Sequence, residues 1–174
     1  FRRVLFRSSF TLEPESGFRD AIAISGCWGL GENIVQGTIT PDEFIVFKPT
    51  LRSSKKAIIS KKCGTKSKTM IYATKANAEL KLVNIDTPEE KRLQFVLTDN
   101  EIEQIARWSL IIEEHYKCPM DIEWAKDGIT GQLFILQARP ETVKSQGEKN
   151  VLETYTLRGK GKILAQGRSV GEKI

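Results

Sequence analysis

Residues 119–128 read PMDIEWAKDG and residues 133–143 read LFILQARPETV, and these two runs contribute most to the predicted fold. Each contains a strand-like segment, at 121–126 and 133–139, in which Ile, Trp, Leu, Phe and Ala are frequent. The Asp-Gly pair after the first segment and the Gly before the second are typical of a turn. The two segments are therefore predicted to pair as a β-hairpin.

Four polar side chains of this hairpin are expected to meet at its open end. Because side chains alternate along a strand, Asp121 and Glu123 share one side of the first strand. By the same rule, Gln137 and Arg139 share one side of the second strand. With a turn centred on 129–130, Glu123 is predicted to face Gln137, and Asp121 is predicted to face Arg139.

These four residues allow two interpretations. Charged side chains on a mostly apolar hairpin cost free energy unless they are paired or bound to a cation. One interpretation is an Asp121–Arg139 ion pair that only fixes the register of the hairpin. The other is a Mg²⁺ site, in which carboxylate and amide oxygens bind the metal and the arginine binds phosphate. The spacing of the residues does not decide between them.

A glycine-rich loop lies upstream of the hairpin. A short buried strand at 21–24, AIAI, leads into SGCWGLGE at 25–32. Gly29 and Gly31 could let backbone amides approach a phosphate closely. The loop lacks the Lys-Ser/Thr of a P-loop and the third glycine of the dinucleotide fingerprint, so an ordinary turn is the alternative.

The remaining chain predicts an α+β domain. Strand-like segments separated by Pro, Ser, Lys and Gly favour an antiparallel meander, and they lie at 43–48, 57–60, 70–74 and 80–85. A helix is predicted to begin at Thr98, where Thr98 and Glu101 form a capping-box pattern, and to end before Pro119. Its predicted buried stripe consists of Ile102, Ile105, Ala106, Ser109, Ile112 and Tyr116.

Composition is that of a soluble protein, with 40% hydrophobic and 28% charged residues and no apolar run that approaches the length of a membrane span. The three cysteines are widely spaced, which argues against a disulfide framework or a zinc site and suits a reducing cytoplasm. With a single histidine, any metal is expected to have oxygen ligands.

Net charge is +5, and the basic excess between Glu43 and Glu79 is interpreted as a solvated hairpin face. Contact with nucleotide phosphates is the sharper alternative, whereas nucleic acid is disfavoured because no aromatic residues interleave the basic ones.

Taken in order, the two hairpin runs and SGCWGLGENIVQGTITPDEFIVFK at 25–48 closely resemble the phosphoenolpyruvate synthase (pyruvate, water dikinase) family. The resemblance extends from about residue 10 to residue 174, and YTLRGKGKILAQGRSVGEKI at its end resembles the start of the family's swivelling phosphohistidine domain. It implies an incomplete ATP-grasp domain, of which this chain supplies the C-terminal lobe. The implied divisions are a non-native leader at 1–8, the ATP-grasp lobe at 9–143, a linker at 144–152 and the start of the swivelling domain at 153–174.

The resemblance also implies a site for ATP and Mg²⁺. Glu123 and Gln137 match the family's metal-binding residues, and Arg139 matches a catalytic residue that contacts phosphate. Asp121 and Glu32 are implied as supporting members, with the Gly29–Gly31 loop near the polyphosphate. The whole cofactor-binding set is Gly29, Gly31, Glu32, Asp121, Glu123, Gln137 and Arg139.

In this family, ATP phosphorylates a histidine of the swivelling domain, and that domain carries the phosphoryl group to pyruvate in a separate barrel domain. The products are phosphoenolpyruvate, AMP and phosphate. The carrier histidine and the pyruvate-binding domain are expected outside this chain, which should be inactive alone. No nucleic-acid or membrane partner is expected, and a homodimer of the complete, cytoplasmic enzyme is among the expected assemblies. The alternatives are a rifampin-type antibiotic phosphotransferase, a pyruvate phosphate dikinase, which the segments match less well, or a non-catalytic nucleotide-binding remnant.

Overall fold

The computed structural model describes residues 4–74 and 80–142, and these form an α+β arrangement of two antiparallel sheets and one long helix. The elements are β1 (Val4–Phe10), β2 (Ala21–Gly26), α1 (Glu32–Val35), β3 (Asp42–Phe47), α2 (Lys48–Arg52), β4 (Ile58–Lys62), β5 (Lys68–Thr74), β6 (Leu80–Asp86), α3 (Glu89–Arg92), α4 (Asp99–Tyr116), β7 (Met120–Asp127) and β8 (Leu133–Pro140). The linker predicted at 144–152 and the domain start predicted at 153–174 lie outside the described residues.

The main sheet has six strands in the order β4-β3-β2-β1-β7-β8, and every neighbouring pair is antiparallel. Strands β5 and β6 form a separate two-stranded hairpin. The predicted antiparallel pairing is confirmed, but the predicted meander is interrupted, because β4 pairs with β3 in the main sheet and β5 pairs with β6 in the separate hairpin. Residues 4–8, predicted as part of a non-native leader, lie in strand β1 and pair with β7, and their origin stays a prediction.

Helix α4 begins as predicted and covers one face of the main sheet. Thr98 Oγ1 accepts a hydrogen bond from the Glu101 N–H at 3.4 Å, and the Glu101 carboxylate accepts one from the Thr98 N–H at 2.9 Å, which completes the capping box. The helix ends at Tyr116, and Lys117 takes a left-handed conformation. The prediction that Tyr116 belongs to the buried stripe is wrong, because 55% of it is exposed. Ile112, also predicted as buried, is only half-buried, whereas Leu110 is buried, so the buried stripe ends at Leu110.

The core lies between α4 and the sheet. Ile22, Phe44 and Trp124 from three strands are fully buried against α4 residues Ile102 and Ile105. Burying each such side chain contributes on the order of 1.5–3 kcal/mol. A buried Ser9–Ser109 hydrogen bond of 2.7 Å also joins β1 to α4, which identifies the covered face. We call the opposite side of the sheet the open face.

Two buried ion pairs tie distant segments to this core. The fully buried Asp42 carboxylate accepts hydrogen bonds from Lys66 Nζ and from the backbone N–H groups of Gly64 and Val96, the latter two at 2.8 Å. This carboxylate therefore joins the start of β3, the segment before β5 and the segment before α4.

Lys48, which is 3% exposed, makes the second pair. Its Nζ donates to the Thr11 carbonyl at 2.6 Å and to both carboxylate oxygens of Glu113 at 2.8 and 2.7 Å. Burial lowers the pKa of Lys48, while the hydrogen bond to Glu113 opposes that shift.

The described part of the chain contains no helix that is both long and apolar enough to cross a bilayer.

Candidate functional site

The β7–β8 hairpin brings the four predicted polar residues together in the predicted pairs. Glu123 lies opposite Gln137, and Asp121 lies opposite Arg139. Their neighbour Ile122 pairs with Ser9, which contacts α4. Because side chains alternate, Asp121 and Glu123 project from the open face.

A register shift that the sequence did not predict produces this pairing. Trp124 pairs with Ile135, whereas the preceding Glu123 pairs with Gln137, so Leu136 is the extra residue of a β-bulge. A regular ladder from a turn centred on 129–130 places Glu123 opposite Leu136, so the predicted pairs did not follow from the predicted turn and are present only because of the bulge. A one-residue slip moves every side chain of a strand to the other face, so the bulge keeps Gln137 and Arg139 on the open face. Residues 133–139 contain no glycine or proline, so the local sequence did not predict a bulge at Leu136.

Asp121 and Arg139 form an ion pair with one buried end. Arg139 Nε donates a hydrogen bond to Asp121 Oδ2 at 2.9 Å, and Arg139 Nη2 lies 2.7 Å from the same oxygen in the ion pair. Asp121 is 8% exposed, whereas the Arg139 side chain is 63% exposed. The hydrogen bond and the charge of Asp121 raise the pKa of Arg139. A guanidinium has five N–H donors, so the exposed side of Arg139 can still bind a phosphate.

Glu123 and Gln137 offer oxygen atoms on the same face. Glu123 is half-buried and Gln137 is exposed. Neither side chain forms a hydrogen bond or an ion pair with another described residue, although the Glu123 charge acts on Arg139. Directly opposite side chains in an antiparallel pair have Cβ atoms about 4.5–5.5 Å apart, so one cation could contact both.

The donor set fits Mg²⁺ bound jointly with phosphates. Mg²⁺ usually takes one or two protein carboxylates and completes its shell with waters and substrate phosphates. Within residues 4–74 and 80–142, no three His, Cys, Asp or Glu side chains cluster as a metal site. A metal shared with a nucleotide is compatible with the oxygen atoms of Glu123 and Gln137.

The glycine-rich loop contacts strand β5. Gly29 has a φ of +79°, and a Cβ there would lie 2.2 Å from the Met70 carbonyl oxygen. The Leu30 N–H donates to that same oxygen at 2.9 Å. The requirement for glycine at position 29 thus has a structural cause, which is the close approach of two backbones.

The other loop residues lie at the start of α1. Gly31 is its N-cap, in a right-handed helical conformation, and Glu32 is exposed in its first turn. In the described structure no hydrogen bond or ion pair joins Glu32 to the β7–β8 hairpin. The placement of Gly29, Gly31 and Glu32 beside a polyphosphate remains a prediction.

Comparisons with known proteins agree with a nucleotide-binding role. A family model described as "Pyruvate phosphate dikinase, AMP/ATP-binding domain" matches residues 8–158. Phosphoenolpyruvate synthase of Neisseria meningitidis serogroup B is 50% identical over 166 residues, which cover 95% of this chain and 21% of that protein. Proteins of the same name from Pseudomonas aeruginosa and Escherichia coli are 49% and 48% identical, with the same two coverages. The chain thus spans about a fifth of the length of these relatives. Because the family model covers most of the chain, this chain belongs to the family of pyruvate phosphate dikinase AMP/ATP-binding domains.

Proposed function

We propose that this chain is the Mg-ATP-binding part of a phosphoenolpyruvate synthase, built as one lobe of an ATP-grasp domain. The observation that carries the proposal is the grouping of Asp121, Glu123, Gln137 and Arg139 on the open face of one hairpin. The family match and the names of the relatives support nucleotide binding and the class of enzyme. The complete protein would convert pyruvate, ATP and water to phosphoenolpyruvate, AMP and phosphate through a phosphohistidine.

Each hairpin residue has a distinct role in this proposal. Glu123 and Gln137 would hold Mg²⁺ through a carboxylate and an amide oxygen. Mg²⁺, when bound, neutralises charge on the phosphates. Arg139 would bind a phosphate through the N–H groups that point away from Asp121, and its charge persists at all physiological pH values.

Asp121 would act as a positioning residue for Arg139. A hydrogen bond and an ion-pair contact to Asp121 Oδ2 hold the guanidinium before any ligand arrives. Donors fixed in advance stabilise developing charge without a cost of reorganisation during the reaction. On the resemblance alone, we also assign Gly29, Gly31 and Glu32 to the polyphosphate side of the site.

The test is Glu123→Gln in the complete protein that contains this chain. We expect histidine phosphorylation from ATP to slow by about 100-fold or more, the range seen when one electrostatic contact to a transition state is lost. The Mg²⁺ dependence of ATP affinity, measured by calorimetry, should also weaken, which reports on the metal site separately from turnover. Glu114→Gln is the matched control, since Glu114 is an exposed residue of α4.

Folding of the variant is checked by urea unfolding. If a folded Glu123→Gln protein is phosphorylated at the normal rate, Glu123 is not part of the site. Pyruvate-dependent release of AMP by the unmodified protein tests the proposed reaction itself, and its absence would contradict the synthase assignment while leaving nucleotide binding intact.

A further inference from the structure

A second concave region is bordered by the start of α4 and contains none of the four polar residues of the candidate site in its lining. It is a cavity of about 630 Å³. Its lining includes Ile71 and Ile85 of the β5–β6 hairpin, residues 95–97 and Trp28. Its volume lies within the range of about 300–1,000 Å³ that is typical of small-molecule sites.

The walls of this cavity retain apolar surface in contact with water. Ile85 is 40% exposed, and Ile129, at the turn that borders the cavity, is 74% exposed. The hairpin wall belongs to a separate sheet, so the main ladder of hydrogen bonds does not close the gap. An apolar body placed here would remove this surface from water, which is the main driving force for binding in such sites.

Most charged groups around the cavity already have partners. Lys126 pairs with Glu101 at 2.5 Å, and Asp86 pairs with Lys68 at 2.6 Å. The Asp127 carboxylate, at the far end, accepts the backbone N–H groups of residues 129 and 130 at 2.8 Å each. These groups therefore leave little unpaired charge for a ligand to meet.

Lys91 is the exception. Among the residues that the structure describes, no carboxylate forms an ion pair with it. Its Nζ stands 5.6 Å from the centre of the Trp28 ring, and the Trp28 Nε1–H donates to the Lys91 carbonyl at 2.9 Å. The Trp28 indole therefore positions the Lys91 ammonium beside the apolar cavity, where the ammonium can bind an anion.

We propose that this cavity is a second binding site, for a small molecule with a flat apolar body and one negative charge. The apolar body would lie between Ile71, Ile85 and residues 95–97, and the anionic group would meet Lys91. None of Asp121, Glu123, Gln137 and Arg139 lines this cavity, so the proposal does not depend on the metal and phosphate roles proposed for them. Gly29 and residues 126–131 of the β7–β8 hairpin do border it.

The test uses 2-naphthoate as the probe, with 2-naphthalenemethanol as its uncharged analogue. The complete protein that contains this chain is labelled at isoleucine δ1 methyl groups and titrated by NMR. We expect saturable shifts of Ile71 and Ile85, while the exposed Ile59 and Ile111 outside the cavity stay unchanged. Loss of a charge-assisted hydrogen bond corresponds to a roughly tenfold or larger change in dissociation constant, so naphthoate should bind Lys91→Gln about tenfold more weakly.

Two controls separate this site from general adsorption. Lys55→Gln removes an equivalent exposed charge outside the cavity and should leave the affinity unchanged. The uncharged analogue should bind the unmodified protein about tenfold more weakly than naphthoate, and Lys91→Gln should not weaken it further. The proposal is overturned if Ile71 and Ile85 show no saturable shift, if Ile59 and Ile111 shift equally, or if Lys91→Gln binds naphthoate normally.

Discussion

Replacing Asp121 by Asn tests whether a buried carboxylate positions the arginine of the candidate site. Asp121 is 8% exposed, and its Oδ2 accepts a hydrogen bond from Arg139 Nε and forms the ion-pair contact with Arg139 Nη2. The substitution keeps the size of the side chain and removes its charge. An amide oxygen can still accept the Nε–H hydrogen bond, but the full negative charge that attracts the guanidinium is gone. We therefore expect Arg139 to sample other conformations.

The different exposure of Asp121 and Arg139 determines how much Asp121→Asn should change stability and activity. A hydrogen bond to a charged group contributes about 1.5–3 kcal/mol when it is shielded from water. Because the Arg139 side chain is 63% exposed, solvent screens the pair, and we expect a loss of only about 1 kcal/mol in the free energy of unfolding. An oriented donor to a transition state contributes about 2.7–4 kcal/mol. Partial loss of that orientation should slow phosphorylation by about 10- to 100-fold.

The assay measures both quantities in the same protein. Urea unfolding gives the stability, and the rate of acid-labile phosphate incorporation from ATP gives the chemistry. Asp99→Asn is the control, because its side chain is 65% exposed and pairs with Lys61 on the protein surface. If Asp121→Asn loses stability but phosphorylates at the normal rate, the ion pair only fixes the register of the hairpin. The positioning role would then be refuted.

Two further predictions concern stability, and urea unfolding checks both. Lys48→Met should lower the free energy of unfolding by about 3 kcal/mol, because it leaves the partly buried Glu113 carboxylate without its cation; an equal loss in Lys55→Met, at an exposed position, would contradict this reasoning. Gly29→Ala should cost at least about 2 kcal/mol, because its φ is positive and its new Cβ would overlap a backbone oxygen. Gly37→Ala, where φ is +67° and no atom lies within 4 Å, should cost about 1 kcal/mol, and the difference between the two glycines isolates the overlap.

The β7–β8 hairpin shows how far sequence patterns determine a site. Alternation of side chains predicted which residues share a face, and both predicted pairs are present. The turn position alone gives a register that differs by one residue, and the bulge at Leu136 makes up the difference. A bulge depends on how two strands fit their neighbours, and such a tertiary constraint leaves no local signal at Leu136.

Long-range contacts were the other part that the sequence did not predict. The capping box of α4 involves residues three apart and was predicted in full. In contrast, the buried Asp42–Lys66 pair joins residues 24 positions apart, and Lys66 appeared only as part of a basic surface stretch. Local patterns report on local geometry, whereas the burial of a lysine depends on which segments the fold brings together.

In strand β7, the residues that stabilise the fold and the residues of the candidate site lie on opposite faces. In β7, Ile122 and Trp124 are fully buried on the α4 side, and they alternate with Asp121 and Glu123 on the open face. The backbone that carries the polar residues is therefore held by packing on the opposite side, so those residues need not hold the sheet together themselves. Loss of a buried neighbour such as Trp124 should reduce stability and the order of the site together, since the strand would lose its anchor. Loss of the Glu123 charge should leave the packing intact and remove only an oxygen ligand. This division explains how one hairpin can display half-buried and exposed polar groups for a phosphate-bound metal without a matching cost in the core.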